Sequence, residues 1–229
     1  MKRVLMLASV ASMIDQFNMP NIALLQKLGY EVDVACNFIE GNTCSDERVA
    51  ELKQKLQDMH VHCYQIDFAR NIKHMGQNMK ALWQVEALMK QNTYEFCHCH
   101  SPIGGVVARI AGHRTKTKVI YTAHGFHFYQ GAPVMNWLVY YPVEKMLSRW
   151  TDVLITINHE DYARAKKKFH AGKTYYLPGI GINLERFHAG DAQTIQQKRQ
   201  NLDCSRKMCF CCLWENSVIV KTMSLSLRQ

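Results

Sequence analysis

No stretch of this chain approaches the roughly 18 to 20 consecutive apolar residues of a membrane-spanning helix. It holds no internal repeat and no low-complexity linker. Nothing in it resembles a helix-turn-helix, a zinc finger or an aromatic stacking platform, which argues against nucleic acid as a partner. The glycine fingerprint G-x-G-x-x-G that opens a dinucleotide site is also missing. In its place stands Ala8-Ser9-Val10-Ala11-Ser12-Met13-Ile14-Asp15-Gln16, which weakens an NAD-dependent oxidoreductase as a reading. No obvious pair of catalytic carboxylates is present, so glycoside hydrolysis is disfavoured. Acidic residues are in the minority: 19 Asp and Glu against 28 Lys and Arg leave a formal charge of +9. That excess favours an anionic partner, whether nucleic acid, a membrane surface or a phosphorylated substrate.

What is present is enough for a sizeable core, with 48% hydrophobic residues in 229, one large domain or two small ones. The start, Met1-Lys2-Arg3 followed by VLMLASVA, imitates a signal peptide. We read it as a first β-strand, because a helix and a second strand follow at the spacing of a βαβ unit. Five of the 9 cysteines (Cys36, Cys44, Cys63, Cys97, Cys99) are scattered, and the other four crowd the last 26 residues. Three of the scattered ones fall in apolar strand-like runs, where a reduced thiol acts as a small hydrophobe. The pattern is not a disulfide framework and points to the reducing cytoplasm.

Apolar β-type runs alternate with helical patterns. Strands are predicted over Val4–Leu7, Glu31–Ala35, His62–Ile66, Tyr94–Cys99, Val119–Thr122, Asp152–Ile157 and Thr174–Leu177. Helices are predicted over Pro20–Leu28, Asp46–Met59, Met75–Lys90, Gly104–His113, Val134–Arg149 and Asp161–Phe169. Pro20 suits a first helical turn and Gly29 a helix stop. Such alternation predicts an α/β fold, a doubly wound parallel sheet with helices on both faces.

The segment Lys118–Phe128, KVIYTAHGFHF, carries the strongest functional signal. Its apolar strand stops at two histidines, His124 and His127, and in an open parallel sheet the pocket lies just past the carboxyl ends of the strands. Imidazole can donate, accept or carry charge near neutral pH. His124 is the better candidate, since the aromatic neighbours Phe126, Phe128 and Tyr129 are expected to bury His127.

Taken in order, the opening strand with ASMIDQFNMPN, then HCHSPIGGVVARIAG, KVIYTAHGFHFYQGAP, TDVLITINHEDYARA and YYLPGIGINLERF, resemble the N-terminal half of a family 4 glycosyltransferase of the GT-B fold. The resemblance spans about the first 187 residues and is greatest to enzymes that build bacterial capsular or exopolysaccharide repeat units. It implies two facing Rossmann-like domains, the first holding the acceptor and the second a nucleotide-diphosphate sugar. It further implies transfer with retained anomeric configuration and no metal or cofactor beyond the nucleotide-sugar co-substrate. His124 would reach the transferred sugar as the catalytic residue. Ser12, Asp15, Gln16 and Asn18 on the loop after the first strand would line the cleft, together with His100, Ser101 and Pro102. Gly104 and Gly105 open a helix, so their amides could face an anionic or hydroxylated group. Asp15 could equally cap the following helix.

Blander readings compete at several places. Cys97 and Cys99 point to one face of a strand, and His98 and His100 to the other, which opposes a metal site there. The aromatic segment Met135–Tyr141, followed by Lys145 and Arg149, is either a core-facing helix or a patch for the lipid headgroup layer. Related enzymes often act on lipid-diphosphate-linked sugars, so contact with the inner face of the plasma membrane stays open. RAKKKFHAGK, at Arg164–Lys173, reads as a solvated helix face.

After about residue 203 the pattern collapses into CSRKMCFCCLWENSVIVKTMSLSLRQ. Read from the third base of each codon, Met208–Trp214 forces Val, two Leu and Gly, and the shifted frame can spell VLLLSVGELSNRKNHV. The resemblance expects a strand of that type at the start of the donor domain. The expectation is therefore a frameshift between Leu202 and Met208. Residues 1–187 would form the acceptor-side domain, 188–203 a linker or the start of the second domain, and 204–229 an out-of-frame tail. Such a chain, truncated before its donor site, is expected to be inactive alone. The alternative is a stand-alone glycan- or partner-binding Rossmann-like domain.

Overall fold

The computed structural model describes residues 2–70, 74–181 and 191–201. The chain divides into two units, Met1–Gly181 and Ile182–Gln229. In the second unit the described part is one helix, α8 (Ala192–Asn201), whose first turn is capped by the Asp191 carboxylate accepting from the Thr194 amide at 2.8 Å. The expected tail, 204–229, lies outside the described residues.

The first unit holds seven strands: β1 (Lys2–Val10), β2 (Tyr30–Asn37), β3 (His62–Gln65), β4 (Tyr94–His100), β5 (Lys118–Ala123), β6 (Val153–Thr156) and β7 (Lys173–Tyr176). Each strand lies within two or three residues of its predicted position. All pair in parallel, in the order β3-β2-β1-β4-β5-β6-β7. The helices are α1 (Ala11–Met13), α2 (Met19–Lys27), α3 (Asp46–Asp58), α4 (Met75–Gln91), α5 (Pro102–Thr115), α6 (Val134–Leu147) and α7 (His159–Lys168). A doubly wound α/β fold results. The Met1 to Ala11 run that imitates a leader supplies the central strand, with Val4 through Ala8 fully buried.

Local chemistry explains the helix starts. Ser45 caps α3 by accepting from the Arg48 amide, and Asn158 caps α7 by accepting from the Asp161 amide at 2.8 Å. Both helices carry acids in their first turn, and α7 ends in Lys166, Lys167 and Lys168, matching its dipole. Gly29, at φ +88°, ends α2 as expected.

One expectation fails instructively. The segment after β1 is not a loop: α1 runs through a widened π turn (Ile14–Asn18) directly into α2. Pro20 brings no N–H to the turn that precedes it and crowds the carbonyl four residues back. A widened turn tolerates that defect, and such turns gather at functional sites.

The core forms two layers. Leu5 and Leu7 of β1 pack with Cys97, Cys99, Val119 and Tyr121 beneath α4 and α5. Val4, Met6 and Ala8 point the other way, against Ile14, Ile22, Val49, Leu52 and Leu56 of the opposite helices. Successive residues of a strand face opposite sides, so β1 alone seeds both layers. Cys36, Cys97 and Cys99 are buried free thiols, and burial pushes the Cys99 thiol up to about 12.

Candidate functional site

The connections leave β1 and β4 in opposite directions across the sheet, so their shared border is the switch point where a doubly wound sheet opens a crevice. Ser9, His100 with Ser101, and His124 stand at the carboxyl ends of β1, β4 and β5 around that point.

The histidines form a connected set. His98 and His100, two apart on β4, share a face, with ring centroids 4.4 Å apart. His98 Nε2 hydrogen-bonds Thr122 Oγ1 at 2.9 Å, and His100 Nδ1 hydrogen-bonds His124 Nε2 at 3.0 Å. His124 also touches Phe17 of the π turn, ring centroids 5.5 Å apart. His100 is 2% exposed, and its Nε2 has no hydrogen-bond partner among the described residues. Burial lowers all three pKa values: His98 to about 4, although it keeps a small accessible patch; His100 well below its ordinary value; His124 by less. At neutral pH these rings are uncharged hydrogen-bonding groups. His124 is therefore suited to hold a hydroxyl or a leaving oxygen rather than to present positive charge.

Ser101 follows on a strained backbone, φ +66° and ψ 152°, a region that non-glycine residues rarely occupy. Its Oγ accepts from the Ser9 amide at 3.2 Å, tying the end of β4 to the end of β1. Pro102 begins α5 and is exposed. The two glycines have a packing role. A Cβ on Gly104 would lie 2.9 Å from Ser101 Oγ, and one on Gly105 only 2.6 Å from Tyr121 Cε2. The Gly105 amide is already taken by the Ser101 carbonyl at 2.8 Å, so it is not available to a ligand.

The residues of the expected first loop divide in the same way. Ser12 is buried, with its amide donating to Asn42 Oδ1 and its Oγ accepting from the Thr43 amide. Asn18 is buried and donates to the Met13 carbonyl across the π turn. Asp15 caps nothing; both carboxylate oxygens accept from Arg48, at 3.0 and 3.1 Å. Gln16 is exposed. These side chains shape the turn that brings Phe17 against His124.

His127 is not buried by its aromatic neighbours. Phe126 and Phe128 turn into the core, and His127 stays exposed, stacked on Tyr140 at 4.5 Å between centroids. It borders a groove of about 490 Å³ between α4, α5 and α6 that Ser9 and Pro102 also line. On α6 the core-facing reading accounts for part of the aromatic segment. Trp137 and Tyr141 pack on Phe128, while Val134, Met135, Leu138 and Met146 are exposed. Arg164 is no free surface cation: it lies over Trp137 at 4.7 Å and donates to the Phe128 carbonyl.

Sequence reasoning gave His98 no part, although its alternation with His100 placed both on one face. It also missed Arg109, 1% exposed, whose guanidinium makes a bidentate pair with Glu144 at 2.7 and 3.1 Å. An arginine inside the apolar pattern of α5 was the available signal. No helix among the described residues is long and apolar enough to cross a membrane.

Comparison with known proteins bears on this arrangement. The family model described as "Glycosyl transferase 4-like" matches residues 3–158. EpsD of Bacillus subtilis (strain 168), provisionally named a glycosyltransferase, is 40% identical over 202 residues, covering 86% of this chain and 48% of EpsD. Among solved structures, Anabaena Alr3699/HepE in complex with UDP and glucose aligns with a TM-score of 0.57 at 14% identity, covering 89% of this chain and 50% of that one. The UDP-N-acetylglucosamine 2-epimerase of Rickettsia bellii aligns with a TM-score of 0.58 at 16% identity, covering 90% and 52%. The two structures support the GT-B-type fold alone, and an epimerase shares it with transferases. The chain spans about half the length of EpsD and of each of these structures.

Proposed function

Because this chain belongs to the glycosyl transferase 4-like family, we propose that it forms the acceptor-side half of a sugar transferase. In this reading a sugar passes from a nucleotide-diphosphate sugar to a lipid-linked glycan, with retained anomeric configuration, during capsular or exopolysaccharide assembly. The similarity to EpsD supports the polysaccharide setting. The UDP and glucose held by Alr3699/HepE support a nucleotide-sugar donor. The work would occur at the cytoplasmic face of the plasma membrane.

The observation that carries the reading is His124, held at the exit of β5 by His100 at 3.0 Å and by the Phe17 ring. Sugar transfer develops oxocarbenium character and negative charge on the departing oxygen, and preset dipoles stabilise such charge. His124 is neutral, fixed on two sides and partly accessible, so it can position a sugar hydroxyl without reorganising. The donor pocket belongs to the part of the relatives' length that this chain does not span. The 229-residue chain alone is therefore expected to show background transfer only.

The test is a chimera joining residues 1–187 to the remaining half of EpsD, assayed with nucleotide-sugars and a lipid-linked acceptor. Turnover should fall about 100- to 1,000-fold in His124→Ala, with the circular dichroism spectrum retained. Undiminished turnover in that variant would remove His124 from the chemistry. Robust turnover by the 229-residue chain by itself would overturn the assignment of the donor pocket. Sequencing the DNA from the codons around residue 195 onward tests the shifted frame, which should stay open for a further domain's length.

A further inference from the structure

The groove lined by α4, α5 and α6 joins apolar walls to basic side chains, a combination that the transfer reading does not use. Its walls are Met79 and Leu82 of α4, Ile103, Val106 and Ile110 of α5, and Val139 of α6. Pro102 and Ile110 both line it, so it runs about 12 Å along α5 at 1.5 Å per residue. One carboxylate, Glu144, borders it, and that group is neutralised by the buried Arg109. Arg70 and His127 also line the groove. Arg70 is exposed and forms no ion pair among the described residues, and His127 is exposed as well. An apolar trough thus carries an unpaired cation and an imidazole in its lining, together with Ser9 from the carboxyl end of β1.

We propose that this groove holds the first hydrocarbon segment of a lipid diphosphate, with Arg70 and His127 meeting the diphosphate. The inference rests on the transfer reading above and assigns its acceptor a seat on this chain. Charge complementarity selects the occupant. A wholly apolar partner would leave the Arg70 guanidinium without an anion. A lipid diphosphate satisfies the apolar walls and the cation together, and a guanidinium is the side chain best shaped for phosphate oxygens. Ser9, at the carboxyl end of β1, lines the same groove, so a diphosphate bound there would hold its glycan on the cleft side of the sheet.

The test uses the 229-residue chain with methyl-labelled methionine and four probes: farnesyl diphosphate, farnesol, inorganic pyrophosphate and octyl glucoside below its micelle concentration. Farnesyl diphosphate should shift the Met75 and Met79 methyls saturably and bind more tightly than farnesol or pyrophosphate. Arg70→Gln should weaken farnesyl diphosphate at least about ten-fold while leaving farnesol unchanged. Met79→Glu, at a position 44% exposed and so tolerant of charge, should weaken both. Equal binding of farnesyl diphosphate to wild type and Arg70→Gln would overturn the proposal. So would shifts as large at Met135 and Met146, exposed residues of α6 that are not part of the groove lining, which would mark adsorption to a bilayer-like surface. Methyl shifts that follow protein concentration without any probe would instead show a second copy in the groove. Failure of binding alongside a His124-dependent chimera would sink the groove alone. Binding with a His124-independent chimera would sink the transfer reading alone.

Discussion

The two faces of this sheet are built to different standards. The face under α4, α5, α6 and α7 is sealed along its width, from Leu5 and Leu7 through Cys97, Cys99, Val119 and Tyr121 to Leu154. The opposite face is sealed over β1 and β2 by α2 and α3. Beyond β1 its aliphatic lining thins. On β6, Val153 and Ile155 are half-exposed while Leu154 and Thr156 are buried, and β4 ends in His98 and His100 where aliphatic side chains would otherwise stand. One face of the same strands is closed by apolar packing, and the other ends in polar side chains at the carboxyl ends of β4 and β5. The contrast teaches where mutations should cost folding and where they should cost chemistry.

The largest test breaks the sealed face. Glu144→Ala leaves the Arg109 guanidinium buried without its carboxylate, which should destabilise the chain by about 3–5 kcal/mol, read as a fall in denaturation midpoint. Replacing both members by apolar residues of like volume should restore most of that loss.

Next comes the histidine face, through pH. Burial holds His98 at about 4, below the value near 6.5 of an unfolded histidine. The folded state then binds fewer protons than the unfolded state between these limits. The associated stability is complete above pH ~6.5 and is lost as pH falls toward 4, on the order of 3 kcal/mol for His98 alone. Chemical denaturation at pH 7 and pH 4.5 should show the loss, and His98→Asn should flatten the dependence. An unchanged slope in that variant would mean the ring is not held neutral by its surroundings.

Smaller still is Gly105→Ala, whose new methyl would meet Tyr121, a ring fixed in turn by Arg109 at 4.3 Å. A loss of about 1–3 kcal/mol is expected, the usual range for overpacking a rigid site. The smallest effect belongs to Asp15→Asn. Its partner Arg48 is 42% exposed, and such pairs contribute about 1 kcal/mol or less. If Asp15→Asn nevertheless displaces Phe17, the loss of its contact with His124 will show as a changed His124 ring signal in proton-carbon spectra.

Much of the fold was legible because the pattern of this sequence is local. Apolar runs of strand length between capped helical segments gave all seven strands and the parallel sheet, and Gly29 and Pro20 marked boundaries through their own backbone limits. The site was legible as a place rather than as a mechanism. His124 and His100 were named from strand exits, yet the bond between them joins residues 24 apart, and nothing periodic announces such a contact. Gly104 and Gly105 resembled ligand amides; both are also close-packing positions, and the Gly105 amide is occupied by Ser101, since what a glycine spares is decided by the neighbour across from it, here Ser101 and Tyr121. The π turn was missed because Pro20 is equally at home at a true helix start. The groove was missed because its walls come from three helices separated by long connections, each unremarkable on its own period.

The bond between His100 Nδ1 and His124 Nε2 contains a single hydrogen, and this couples the tautomers of two neutral rings. With the hydrogen on His100, its inner Nε2 is a bare lone pair and His124 keeps a donor at Nδ1. With the hydrogen on His124, that Nδ1 becomes an acceptor and His100 turns an N–H into the interior. A ligand that offers an acceptor to His124 therefore selects one arrangement, and a ligand that offers a hydroxyl donor selects the other. Either selection is registered one ring deeper, at a buried nitrogen that no ligand touches.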